Sequence, residues 1–305
     1  MAMSIGLSPT REPAVSVVIA TYNRSALLQE TIESVLKQSF QDFELIVVDD
    51  GSTDDTEAAL KSYGDRLRYF RQENRGPSAA RNFGVTQARA AWISIQDSDD
   101  ICAPDHLEIL YRCAERNPDL GMVFANGAYI DDPGGKNIIP QKKSKRLAEK
   151  GVRLSDLFST SIVRLQAALL SKKAFLAVGG LDESLRIAMD LDLALRFFMR
   201  FPVLYIDRIV FFYRRHEGNI GRNNELRLLE NLRVMEKLVH EFPSAIETLG
   251  RQKINRRRAY RYYRLSKSRW KAGEKDKARD ALRQAILLRP FFLKYRLYQI
   301  LEAAF

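Results

Sequence analysis

The sequence predicts an α/β protein: a mostly parallel sheet flanked by helices, with a C-terminal helical appendage. Three patterns predict it. Between Val15 and Asp131, apolar runs of strand length alternate with stretches whose apolar residues recur three and four positions apart, the helical period. Those runs are near-continuous, which is how strands covered on both faces read. From about Glu225 onward the strand signals stop and only helical spacing remains. In a sheet covered in this way, ligands bind beyond the carboxyl ends of the strands.

The elements follow in order. Residues 15–20 are the first strand, and Leu27, Leu28, Ile32, Val35 and Leu36 mark the helix after it. Residues 43–48 form a second strand rich in β-branched residues, and a helix follows from about Asp54, where Ser52, Thr53, Asp54 and Asp55 supply capping oxygens. Residues 67–70 are a third strand, 78–90 a third helix and 91–96 a fourth strand. A helix from Pro104 to Asn117 and a strand from Gly121 to Asp131 come next. Residues 133–150, with Pro133-Gly134-Gly135 and the basic run Lys142-Lys143-Ser144-Lys145-Arg146, are expected as a solvated loop, with a lid as the alternative. Residues 171–178 and 190–200 read as helices, and 203–213 as one or two strands. Residues 259–290 read as two helices joined near Ala272-Gly273-Glu274, similar to one tetratricopeptide-like unit.

Composition narrows the class. Hydrophobic content of 46% with 29% charged residues is that of a globular protein, not a disordered one. No apolar run approaches the ~20 residues that cross a bilayer, and the first residues lack the pattern of a signal peptide. A cytoplasmic protein is therefore expected. Cys102 and Cys113, without CxxC spacing or a neighbouring histidine, are expected to be reduced and structural. The net charge of +11 belongs to the tail: residues 251–305 hold 17 basic and 4 acidic side chains, the rest 32 and 34. Tyr260, Tyr262 and Tyr263 at helical spacing read as core residues, so nucleic acid is disfavoured as a partner. A basic helical tail carrying Phe291, Phe292, Leu293 and Tyr295 fits peripheral attachment to an anionic membrane surface instead.

The chemistry-bearing feature is the end of the fourth strand, where Asp97, Asp99 and Asp100 fall within four residues. Carboxylates this close repel, and a divalent cation reverses that cost. Mg²⁺ or Mn²⁺ prefers such hard oxygens and bridges them to a substrate's phosphates. The same edge carries Thr21-Tyr22-Asn23-Arg24 after the first strand and Asp49-Asp50-Gly51-Ser52-Thr53-Asp54 after the second. With Asn74-Arg75-Gly76-Pro77-Ser78-Ala79-Ala80-Arg81-Asn82 and Asp97-Ser98-Asp99-Asp100, these motifs in this order and spacing resemble the family 2 glycosyltransferases, inverting enzymes of the GT-A fold. The resemblance covers roughly residues 13–219. It implies a hexosyltransferase-type enzyme with a nucleotide-sugar donor, UDP-linked for preference. The implied division is a GT-A transferase domain over 13–220 and a basic α-helical region over 221–305.

The resemblance also distributes roles. Asp99 is the implied metal ligand, with Asp97 toward the donor's ribose or sugar and Ser98 among the donor-binding residues, while Asp100 is left either without a role of its own or as a cap of the following helix. Asp50 is implied on the nucleobase, where a carboxylate accepts the N3–H of uracil or thymine. Asp49 either shares that role or only holds the turn. Tyr22 offers a ring face to the base, Thr21 and Arg24 sit beside it, and Arg75 and Arg81 are candidates for base and diphosphate. His216 is placed to meet metal or phosphate, or has no role. The stretch from Gly179-Gly180-Leu181-Asp182-Glu183 to Asp190 is similar to a family segment in which a Glu-Asp pair opens a helix. Its aspartate maps to Asp190, the implied catalytic base, with Asp192 and Asp182 as fallback candidates. Two residues depart from the family pattern: Met189 stands where the family has glutamate, and Ala20 where it commonly has proline. The expected reaction moves a sugar to an acceptor hydroxyl, on a saccharide or lipid-linked acceptor of envelope polysaccharide or glycoconjugate synthesis. The alternative is a non-catalytic nucleotide-sugar-binding or scaffolding protein with a degenerate transferase domain, which Met189 and the helical tail motivate.

Overall fold

In the computed structural model the described residues are 12–131, 138–140, 145–159, 162–216 and 223–304. Their strands are β1 (Val15–Thr21), β2 (Phe43–Asp49), β3 (Arg68–Arg71), β4 (Trp92–Asp97), β5 (Ile101–Cys102), β6 (Met122–Asp131), β7 (Ile138–Pro140), β8 (Ala168–Ser171) and β9 (Val203–Arg215). The helices that cover them are α1 (Ser25–Leu36), α2 (Thr56–Lys61), α3 (Pro77–Gln87), α4 (His106–Glu115), α5 (Lys145–Lys150), α6 (Leu154–Ser159), α7 (Lys172–Ala177) and α8 (Met189–Arg200). A helical run then follows: α9 (Asn224–Glu241), α10 (Ser244–Leu249), α11 (Arg251–Lys271), α12 (Lys275–Leu288) and α13 (Leu293–Ala304).

One sheet takes the order β3-β2-β1-β4-β8-β6-β9-β5, with β7 paired to β6 off this path. The first four strands are parallel, as the near-continuous apolar runs predict. Antiparallel strands enter through β8, which pairs with β4 on one side and β6 on the other. Val15, Val17 and Ile19 point into a core with α1 and α4, while Val18 points into a second core with α3 and α8. Both faces are thus buried, which explains the absence of polar alternation. Helix α3 lies close on the sheet because residue 84 is glycine: a Cβ there would stand 2.4 Å from Val18 Cγ1.

Register sets the site. Thr21 pairs with Asp49 and Ala20 with Asp97, so three strand ends carry their polar residues to one edge. The predicted one or two strands near 203–213 are a single strand, β9, running to Arg215. It is bulged against β6 at Asn126 and delivers His216 to that edge. Of the expected loop at 133–150, residues 132–137 and 141–144 lie outside the described residues, including Lys142, Lys143 and Ser144 of the basic run.

The helical run is not uniform. Val234, Met235, Leu238, Ala245, Leu249 and Ile254 share the α8-side core of the sheet, whereas the α11–α12 hairpin packs through its own clusters. The expected joint at Ala272-Gly273-Glu274 is present, with Gly273 at φ 81° closing α11. One expectation needs correction: Phe292 and Tyr295 do not face outward with Phe291 and Leu293. Tyr295 is buried, its ring centroid 4.7 Å from Phe292 and 5.0 Å from Tyr263, because alternate sides of this turn pack inward.

Candidate active site

The carboxylates of Asp97, Asp99 and Asp100 offer oxygens that all lie within 4.8 Å of one another. Each has different neighbours. Asp99 Oδ2 accepts from Arg24 Nη1 at 2.5 Å and pairs with His216 Nε2 at 2.9 Å. Asp97 is bound by the Arg81 guanidinium and by Gln166 Nε2, one to each oxygen. Asp100 Oδ1 accepts from the Arg214 amide at 3.0 Å, while its Oδ2 is buried with no partner. Burial, then the charges of Asp97 and Asp99, push the Asp100 carboxyl well above its ordinary range. The helix-cap reading of Asp100 is therefore corrected: β5 follows it, and the next helix begins only at His106. Three converging carboxylates with an orphaned buried oxygen are a donor set that fits a hard divalent cation.

Asp190 reaches the same place from the first turn of α8. Burial raises its carboxyl, the nearby Asp97 raises it further, and Arg164 and Arg81 pull it back, leaving it at about 6. Its Oδ2 has only a long bond, 3.4 Å, from the Leu165 amide. Its carboxyl thus titrates close to neutral pH and carries few bonds that would compete for a proton. The fallback bases are corrected. Asp192 is buried between Arg196 and Lys237 (Lys237 Nζ at 3.1 Å). Burial opposes ionisation of Asp182, but Lys237 at 2.7 Å and Ser184 hold its carboxyl down at about 2. Both are structural ion pairs.

Comparison with known proteins identifies the family. The family model described as "Glycosyl transferase family 2" matches residues 16–178, more than half of the chain. An uncharacterised glycosyltransferase of Rickettsia typhi is 30% identical over 223 residues, 72% of this chain and 70% of that protein. The chain belongs to glycosyl transferase family 2. Solved structures bear out the GT-A fold. The Staphylococcus aureus TarS 1–349 complex with UDP-GlcNAc is similar with a TM-score of 0.65 at 19% identity, over 90% of this chain and 81% of that one. The mannosyltransferase PcManGT of Pyrobaculum calidifontis, in complex with GDP-Man and Mn²⁺, aligns over 99% of this chain and 88% of its own with a TM-score of 0.62 and 19% identity.

In this family 2 transferase the remaining predicted residues fall along the same edge. Thr21 is buried with its Oγ1 unpartnered, Ser98 is buried, and Tyr22 is exposed. Asn23 takes φ 51°, where its amide reaches Ser52 Oγ at 2.9 Å and its Oδ1 accepts from the Thr53 amide at 2.7 Å. Asp50 spends both oxygens on the 72–76 loop: Gln72 Nε2 at 2.7 Å, the Arg75 amide at 2.9 Å and the Gly76 amide at 2.8 Å. Asp49 holds its turn through the Ser52 amide at 2.7 Å and the Tyr69 hydroxyl at 2.9 Å. Arg75 is exposed and pairs with Glu183 at 3.0 Å, away from the acidic cluster, whereas Arg81 is buried within it.

Three residues around the site have no counterpart in the sequence reading, and Met189, noted there as a departure, gains a partner. Gln166 joins Asp97 to a buried network around His106, whose Nδ1 donates to the Val210 carbonyl at 3.0 Å and whose burial lowers it to about 4. Arg164 stands near Asp190 and Asp100 with its Nε buried and unpartnered. Glu230 on α9 accepts three amides, those of Arg186 (2.9 Å), Ile187 (2.8 Å) and Ala188 (2.9 Å), and so fixes the segment that leads into Asp190. Met189 Sδ accepts from Arg81 Nη1 at 2.8 Å, standing where the resemblance expects a carboxylate. A lone Gln, Arg or Glu outside any motif carries no periodic or spacing signal, so only the fold reveals these.

Proposed function

We propose that the chain is a metal-dependent, inverting transferase that moves a sugar from a nucleotide diphosphate donor, UDP-linked for preference, to an acceptor hydroxyl. The observation that carries the proposal is the meeting of two chemistries from opposite halves of the chain: the Asp97–Asp99–Asp100 cluster and the raised carboxyl of Asp190. Asp99, with Asp97, Asp100 and His216 around it, would hold Mg²⁺ or Mn²⁺. When bound, the cation neutralises charge on the departing diphosphate.

The chain's own residues account for the other parts. Arg24 and Arg81 present guanidinium groups at the acidic cluster and supply further positive charge for the leaving group. Tyr22, Thr21 and the Asp50-braced loop line the nucleoside side, and Asp97 and Ser98 the ribose or sugar. The acceptor oxygen attacks the anomeric carbon from the face opposite the diphosphate, the carbon–oxygen bond to the diphosphate breaks, and the hydroxyl proton passes to Asp190. One displacement inverts the anomeric centre.

The proposed division assigns the transferase to residues 13–220 and leaves 221–305 as a helical region that braces it. The acceptor is read as a saccharide or lipid-linked chain of envelope polysaccharide or glycoconjugate synthesis, met at an anionic membrane surface. Support for the membrane comes from the basic balance of 251–305 beside exposed Leu287, Phe291, Leu293 and Leu297. No helix among the described residues is long and apolar enough to cross a membrane.

A panel of nucleotide sugars with Mn²⁺ or Mg²⁺, read by release of nucleotide diphosphate, tests the reaction. Asp99→Ala and Asp190→Ala should each lose activity by at least a hundredfold. Unchanged turnover in either removes that residue from its role, and no turnover with any donor favours the non-catalytic reading.

A further inference from the structure

The inward face of α11 carries a chemistry unrelated to the transferase site. Ile254, Arg257, Arg261 and Leu265 follow one another at spacings of three and four, so they share one stripe. The apolar ends of that stripe are core residues, Ile254 against the main domain and Leu265 against Leu228 and Leu232 of α9. Two arginines fill the positions between them. Arg261 is only 9% exposed, its Nε has no partner, and no hydrogen bond or ion pair to it occurs among the described residues. Arg257 Nε is likewise buried and unpartnered. Burial first, then the like charges of Arg257, Arg227 and Arg264, depress Arg261 to about 9, with Tyr260 opposing them.

A desolvated guanidinium surrounded by like charge costs several kcal/mol unless an anion compensates it. Arg258, one residue from Arg257, differs in having a carboxylate partner across to α9, Glu236 at 2.6 Å, although its Nε is also buried and unpartnered. The planar fork of arginine suits the oxygens of phosphate in particular, and several converging forks suit it better than a single carboxylate.

We propose that the seam between α9 and α11 binds a phosphate or diphosphate group, with Arg261 as the buried contact and Arg257, Arg264 and Arg227 around it. This site is separate from the donor site and does not depend on the transferase reading.

Thermal unfolding of the full chain in sodium phosphate or pyrophosphate, against sodium chloride at equal ionic strength, tests it. The wild type should gain about 2 °C or more at saturating anion. Arg261→Met should be at least as stable as wild type in chloride, because it removes an uncompensated charge, and should lose most of the anion-dependent gain. Arg257→Gln should lose part of it. An equal gain in wild type and Arg261→Met would assign the effect to the donor-side arginines and overturn the proposal, as would no gain in wild type. Sedimentation with phosphatidylglycerol vesicles then separates the sources, using exposed Arg251→Gln as a control of equal charge loss. A drop of threefold or more beyond that control in Arg261→Met assigns a lipid headgroup phosphate. Equal drops, with the anion-dependent gain confined to wild type, assign a soluble phosphate.

Discussion

At the scale of single residues, the site separates two kinds of carboxylate by what surrounds them. Asp192 and Asp182 are paired with Arg196 and Lys237, whereas the Asp190 carboxyl is raised to about 6 by burial and by Asp97. A raised carboxyl accepts a proton only when ionised, so activity should fall about tenfold per pH unit as pH drops below about 6. The pH–rate profile of kcat/KM checks this, and Asp190→Asn should abolish the acidic limb along with roughly 10²- to 10⁴-fold of the rate. Asp192→Ala should act differently. It leaves Arg196 buried without its carboxylate, a loss of about 3–5 kcal/mol in denaturant unfolding. The sequence could single out Asp190 because its segment resembles a family stretch at a fixed offset from a Gly-Gly turn. The ion pairing of Asp192 could not be read there, since its partner Lys237 lies 45 positions away on another helix.

At the scale of elements, strand ends and helix starts do the positioning, and their apolar patterns are what made the parallel half of the sheet readable. The register Thr21–Asp49 and Ala20–Asp97 turns separate motifs into one edge. Patterns did not reveal the antiparallel insertion of β8, because a buried four-residue strand in an apolar stretch looks the same in either direction. The close seating of α3 gives a direct expectation: Gly84→Ala, whose methyl would meet Val18, should lose about 1–3 kcal/mol of stability by forcing helix from sheet, measurable by chemical denaturation. The segment before α8 is a second such element. Glu230→Ala strips three amides of their acceptor, that of Ala188 buried, and should lower kcat more than it raises KM, with Glu230→Gln recovering part of the rate. Steady-state kinetics on the two variants separates that positioning effect from loss of fold.

At the scale of the whole molecule, charge and apolar exposure are segregated: the transferase half is near neutral, while the last helices carry the basic excess and most of the exposed large apolar side chains. Replacing Phe291 and Leu293 by glutamate should therefore reduce binding to anionic vesicles severalfold without changing turnover on a soluble acceptor. The residual binding should weaken as salt rises. Sedimentation across a salt series measures both. The sequence showed the charge of this region but placed Phe292 and Tyr295 with the outward residues, because neighbouring aromatics on a turn give no clue to which ring packs inward. Glu230 gives the helical region one more consequence. Anyone exchanging the last helices between related transferases, to graft a new anchor or a new acceptor preference, must cut the chain after α9 and not before it. A junction placed at the end of the sheet would discard the side chain that aims Asp190. Such a hybrid also exchanges Val234, Met235 and Leu238 of the main core, and it should show lowered stability and, on the proposed role of Asp190, little transfer.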